Sequence, residues 1–128
     1  MQRSPIVEIR KMTRRSLPPL AFERVARAIL GNQYHLSLVI CTDSLARTIN
    51  RTYRKKTYAA NVLSFPLEKR EGEMFLNIAA ATREAKQFDV SPAARLMMLF
   101  IHGCLHLKGL RHTAKMEILE RNFFNKYC

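Results

Sequence analysis

His102, His106 and His112 are the residues whose type and spacing could do chemistry. They lie in the run His102-Gly-Cys-Leu-His106-Leu-Lys-Gly109-Leu-Arg-His112. On a helix, the i, i+4 spacing of the first two puts both imidazoles on one face, one turn apart. Gly109 tolerates the left-handed conformation found just past a helix end. The chain can therefore stop, fold back and bring His112 to the same point. Three neutral imidazole nitrogens with no fourth protein ligand in view are the ligand set of a catalytic zinc, which keeps one position for water. A lone histidine on an apolar helix is more often a satisfied core or surface residue. Three of the chain's four histidines in one such run are harder to dismiss as a structural accident.

The three histidines and the glycine match the zinc-protease spacing H-E-x-x-H-x-x-G-x-x-H, but Gly103 stands where those proteases keep a glutamate. That glutamate is the general base for the metal's water, so its absence argues against peptide hydrolysis by the same route. A phosphodiester, by contrast, brings its own anionic oxygens to a metal. The chain has 22 Lys+Arg against 10 Asp+Glu, a formal charge of +12. Such a field attracts polyanions, of which nucleic acid is the commonest. Together these features favour a phosphodiester over a peptide.

At 128 residues, 48% hydrophobic and 25% charged, the chain is expected to form one domain, residues 1–128, with a substantial core. Cys41, Cys104 and Cys128 are odd in number and widely spaced, which fits reduced thiols in a cytosolic protein. Cys104 falls on a different helix face from His102 and His106 and is expected to be a small buried hydrophobe. No secretory signal is visible. The apolar run from Leu96 to Leu107, about 12 residues, is too short to span a bilayer, so no membrane partner is expected. Nothing marks an oligomeric interface.

Residues 6–11 alternate as a weak strand. Pro18-Pro19 opens a helix through Leu20, Phe22, Val25, Ala28 and Ile29 that Gly31 ends. Residues 34–42 read as a buried strand. Asp43 is expected to cap the next helix, whose apolar positions Leu45, Ile49 and Tyr53 fall at i, i+4, i+8 and whose basic residues are Arg47, Arg51, Arg54, Lys55 and Lys56. The last three suit the negative end of the helix dipole. Asn61 to Phe65 is a short strand stopped by Pro66, residues 67–73 a turn, and Met74 to Ile78 another strand. A helix follows from Ala79 to Phe88. Ser91-Pro92 then opens a helix running to about Lys108, apolar nearly all round and therefore central and buried. Thr113 can cap a last helix with Met116, Leu119 and Phe123 inward. Four short strands interleaved with helices make an α/β or α+β layer.

The sequence resembles the YbeY family of bacterial rRNA-maturation endoribonucleases. HGCLHLKGLRH matches that family's H-G-x-L-H-L-x-G-Y-D-H. Tyr53-Arg54 followed by Ala60-Asn61-Val62-Leu63-Ser64-Phe65-Pro66 is similar to its tyrosine-arginine pair and T-[DN]-V-L-S-F-P. The resemblance extends from about residue 34 to the end. It implies an α+β fold, a small mixed four-stranded sheet with helices packed around one central buried helix that carries the metal histidines. It also implies one zinc on His102, His106 and His112, with His106 and Arg54 catalytic. The family's activity is metal-dependent cleavage of single-stranded RNA in the cytoplasm, in 16S rRNA 3′-end maturation and ribosome quality control. The implied partners are therefore the 16S rRNA precursor and the ribosome or its small subunit. Arg54 suits the task, because a guanidinium clamps a phosphate bidentately. Lys55, Lys56, Ser64 and Arg111 are further candidates for RNA contact.

The chain departs from the family pattern at four places. Leu110-Arg111 replaces tyrosine-aspartate before the last histidine, which removes a possible carboxylate partner for the metal histidines. Ala60 replaces a threonine, Leu76-Asn77 a glycine-aspartate, and the chain stops soon after its last helix. These departures leave an alternative open: a non-catalytic RNA-binding ribosome assembly factor with a structural or vestigial zinc. A zinc peptidase is a third reading, disfavoured by Gly103.

Overall fold

The computed structural model describes residues 5–128. The elements run β1 (Val7–Lys11), α1 (Phe22–Leu30), β2 (His35–Cys41), α2 (Asp43–Arg54), β3 (Val62–Glu68), β4 (Glu71–Asn77), α3 (Ile78–Gln87), α4 (Pro92–Leu107) and α5 (Ala114–Tyr127). The sheet order is β1-β2-β4-β3. β1, β2 and β4 are parallel and β3 pairs antiparallel with β4, so the sheet is mixed. β2 lies inside the sheet and reads as a nearly continuous apolar run, as a strand covered on both faces must. α4 is the central helix. It packs on α1, α3, α5 and the β3–β4 side of the sheet, and buries Leu96, Met97, Leu99, Phe100, Ile101 and Leu105 in the main core. The expected α+β fold around a central helix is the one observed.

Several local expectations change. Pro66 does not stop β3, which continues to Glu68, and the turn contracts to the two residues between β3 and β4. β3 is an edge strand, and there the missing proline N–H removes no ladder bond from a neighbour on the open side. Ile78 opens α3 rather than closing β4. Pro18 and Pro19 precede α1 without joining it.

Asp43 does not cap α2, whose first turn has no side-chain cap. Its carboxylate instead takes a forked pair of bonds from Arg83, at 2.7 and 2.9 Å, and one from Asn77 Nδ2 at 2.9 Å. Tyr53, the last position of the apolar row of α2, is 68% exposed. α2 buries Ala46 and Asn50, small enough to let the helix sit close to the sheet.

Asn77, fully buried, is a satisfied hub. Its Oδ1 accepts from Ala79 N and Ala80 N, which caps α3, and its Nδ2 donates to Asp43 and to the Ala60 carbonyl. An aspartate here would cap α3 equally well but would set a second carboxylate against Asp43. The Arg83 bonds first, and the Asn77 bond second, hold the Asp43 carboxyl down at about 2. Because its folded value lies below the unfolded one of about 4, the ionised form stabilises the fold above that value. The contribution is then lost as pH falls from about 4 toward 2. Asp43→Asn is expected to lower stability at neutral pH and to flatten the acid limb of a stability-versus-pH curve over that window. An unchanged acid limb in chemical denaturation would contradict this.

Candidate metal centre

Three local devices bring the histidines together. Ser91 caps α4 through a 3.0 Å bond from Ala94 N, and Pro92 occupies its first turn. One face of the helix then presents His102 and His106. At the other end, Gly109 takes φ 103°, with Gly109 N on the His106 carbonyl and Leu110 N on the Leu105 carbonyl. This paired closure reverses the chain. Thr113 then caps α5, its Oγ1 accepting from Met116 N, and fixes His112 between the reversal and the new helix.

The three Nε2 atoms converge. His106 Nε2 lies 3.1 Å from His102 Nε2 and 3.0 Å from His112 Nε2. The far side of two rings is committed. His106 Nδ1 is 3.0 Å from the Leu110 carbonyl, which can only accept, so the ring donates there. His102 Nδ1 sits 2.5 Å from Glu120 Oε1 and donates to that carboxylate. Both rings therefore aim bare Nε2 lone pairs at one another. Two lone pairs at this distance repel unless a cation lies between them. The donor set fits a metal ion, and a carboxylate–histidine pair behind the ligand is the usual support for one. Among the described residues, these three histidines form a group able to hold a metal ion. Burial first, and proximity to the His102 ring second, push His106 below its ordinary value, which favours the neutral form that a metal ligand needs.

Glu120 is the residue that the motif did not reveal. It stands two turns into α5, eighteen positions from His102. α5 places it because Met116 is buried in the core, with Leu119 and Phe123 partly buried on the same side. The carboxylate that Arg111 removes from the motif is thus supplied from a different element. Glu120→Gln is expected to weaken metal affinity by roughly 10- to 100-fold while leaving the fold intact, as read by competition with a coloured chelator. Wild-type affinity in that variant would show that the carboxylate is idle.

The histidines open into a cleft of about 390 Å³, also lined by Arg54, Tyr58, Ala60, Asn61, Val62 and Ser64. Arg54 and Ser64 therefore share the cleft with the three histidines. The Ser64 hydroxyl donates to the Gly103 carbonyl at 3.0 Å, so it ties β3 to α4. Asn61 anchors the same strand: its Oδ1 accepts from Val62 N, and its amide donates to Glu84, which also holds Arg95. Lys55, Lys56 and Arg111 are exposed and do not line the cleft. Lys55 closes α2 in the left-handed conformation, with φ 60°. Cys104 is fully buried, its thiol pushed far up by burial, and it contributes no ligand.

Gly103 explains the missing protease glutamate. A Cβ there would stand 2.6 Å from Met74 Cε and 2.9 Å from Ser64 Oγ. The position faces the sheet at close approach, so any side chain there forces the Met74 and Ser64 side chains to move.

A mixed α+β sheet whose central helix offers a three-histidine cradle beside an arginine-bearing cleft defines a class, a small α+β fold with a group of histidines able to hold a metal ion. The family described as Endoribonuclease YbeY matches residues 7–127, and the chain belongs to it. A curated "Endoribonuclease YbeY" from Methylobacillus flagellatus is 36% identical over 94 residues, covering 71% of this chain and 63% of that protein. One of the same name from Neisseria meningitidis serogroup B is 36% identical over 115 residues, covering 77% of this chain and 68% of its own. The chain thus spans 63% of the length of the first of these relatives and 68% of the second. The solution structure of TM1509 from Thermotoga maritima shares the fold, with a TM-score of 0.61 at 21% identity, over 82% of this chain and 75% of that one.

Proposed function

We propose that residues 1–128 form one metallo-endoribonuclease domain that holds a single zinc ion on His102, His106 and His112 and cleaves single-stranded RNA. The observation that carries this reading is the convergence of three Nε2 atoms, two of them with the opposite ring nitrogen tied off, in a cleft that also presents Arg54. Membership of a family whose curated relatives are called endoribonucleases supports it, as does the +12 charge.

A divalent ion bound there supplies Lewis acidity to a phosphodiester and acidifies water. The chain's own residues do the rest. Arg54 grips the scissile phosphate through its planar fork and stabilises charge growing on the phosphate oxygens. His106, hydrogen-bonded to Leu110 behind and central among the three, sets the geometry of the cradle. Lys55, Lys56 and Arg111 attract the neighbouring phosphates without reading sequence. Ser64 holds β3 against α4, so the Arg54 side of the cleft keeps its distance from the histidine side. In the cell, the substrate of this reading is the 3′ end of the 16S rRNA precursor on the ribosomal small subunit. The role is rRNA maturation and ribosome quality control in the cytoplasm. The unpaired, buried Cys41 and Cys104 suit a reducing compartment of that kind.

The second reading, an RNA-binding assembly factor with a structural zinc, requires a closed ion, normally with four protein ligands. Three histidines and no fourth ligand among the described residues favour the open, catalytic site. The test is to incubate the zinc-loaded chain with a single-stranded RNA and with the same strand in a duplex. The single strand is expected to be cut, and Arg54→Ala and Arg54→Lys to slow cutting by roughly 100-fold or more, since lysine cannot restore the fork. RNA that is bound but stays intact would leave the assembly-factor reading in its place.

A further inference from the structure

The loop between α2 and β3 carries Tyr58 to the wall of the histidine cleft. The residue is 59% exposed. Among the described residues, Ile9, Met12, Tyr53, Leu67, Phe88 and Ile118 are also large apolar side chains left in water, but Tyr58 is the one that lines this cleft. The backbone beneath the ring is pinned from inside the protein. Asn50, fully buried on α2, donates its Nδ2 to the Tyr58 carbonyl at 3.0 Å. The Asn50 Oδ1 has no partner, so this amide is kept in the core at a desolvation cost. The return is a loop held in one place with an aromatic face toward solvent. An aromatic ring beside Arg54, with Arg51, Lys55 and Lys56 close by in the chain, combines the two ingredients of single-strand binding: a π-surface for a base and cations for the backbone.

We propose that Tyr58 is a base-stacking subsite, on which the unpaired nucleobase next to the phosphate held in the histidine cleft lies flat. The proposal rests on the RNA-cleaving reading and deepens it. It supplies a physical origin for single-strand preference, because a base inside a duplex has no free face to offer. It also makes the site tolerant of sequence, since every base has a π-face.

The chain contains no tryptophan, so Tyr58→Trp places a unique indole at the subsite. In a His106→Ala background, which keeps RNA whole, this variant is titrated at fixed salt with three probes. They are a short single-stranded RNA, an abasic phosphodiester chain of equal length, and duplex RNA. The single strand is expected to quench the indole strongly, and the abasic chain and the duplex weakly. In the otherwise native chain, Tyr58→Ala and Tyr58→Leu are expected to raise KM by roughly 5- to 100-fold with kcat within about twofold, and Tyr58→Phe to stay near wild type. Zinc content is expected to be unchanged in all of them, which separates lost stacking from a damaged fold. Quenching by the abasic chain equal to that by RNA, or a leucine variant with native KM, would overturn the subsite while leaving the nuclease reading standing. A native chain that neither binds nor cuts single-stranded RNA would overturn both.

Discussion

Replacing His106 by alanine is expected to abolish RNA cleavage and to cost more metal affinity than the roughly 10- to 100-fold that follows loss of an outer partner. His106 is the hub of the cradle, within 3.1 Å of His102 Nε2 and 3.0 Å of His112 Nε2. Without it, the two remaining rings have no shared neighbour to fix their spacing. The fold is expected to survive, because alanine is the best helix former and the ring lies on the open face of α4. A pH signature accompanies the change. The folded value of His106 lies below its unfolded value of 6.5, so the unfolded chain takes up the proton first. The metal-free wild type therefore loses stability as pH falls through that region, and His106→Ala lacks this part of the loss. Equal cleavage by the variant, or an unaltered pH profile, would show that the ring is not in the role assigned to it.

Gly103→Glu is expected to destabilise the fold by at least about 3 kcal/mol and to confer no peptidase activity. The substitution recreates the zinc-protease pattern on paper, yet it drives a carboxylate into the α4–sheet contact. Even a Cβ there meets Met74 Cε at 2.6 Å, Met74 Sδ at 2.9 Å and the Ser64 hydroxyl at 2.9 Å. Met74 is itself fully buried. Gly103→Ala is expected to cost about 1–3 kcal/mol, the usual range for overpacking, because the methionine end yields in part. Chemical denaturation of the three chains orders them wild type, alanine, glutamate. A glutamate variant as stable as wild type, or one that hydrolyses casein in a chelator-sensitive manner, would return the peptidase reading.

The histidine triad was legible in the sequence because it depends on local rules: one helical turn between His102 and His106, and a glycine reversal before His112. Asn77 and Ser64 were visible as motif positions, but what they do, capping α3 and strapping β3 to α4, requires contacts across the fold. Glu120 was not legible. Nothing in its own segment distinguishes it from a solvated helix carboxylate, and its bond to His102 depends on the angle at which α5 crosses α4. Pro66 misled for the opposite reason. A strong local breaker was overruled by its place on an open sheet edge. Tyr53 sits in an apolar row yet stays exposed, because α2 buries Ala46 and Asn50 instead. Tyr58 carries no local signal, and only its position on the cleft wall draws notice.

The central claim is that a metal on the three histidines drives cleavage of RNA. It is tested most directly by measuring zinc content and single-strand cleavage together on the purified chain, on the chain stripped with a chelator, and on the stripped chain given zinc back. One ion per chain is expected, with loss of cleavage when the ion is removed and recovery of both on readdition. Undiminished cleavage by a stripped chain shown to be free of metal would contradict it.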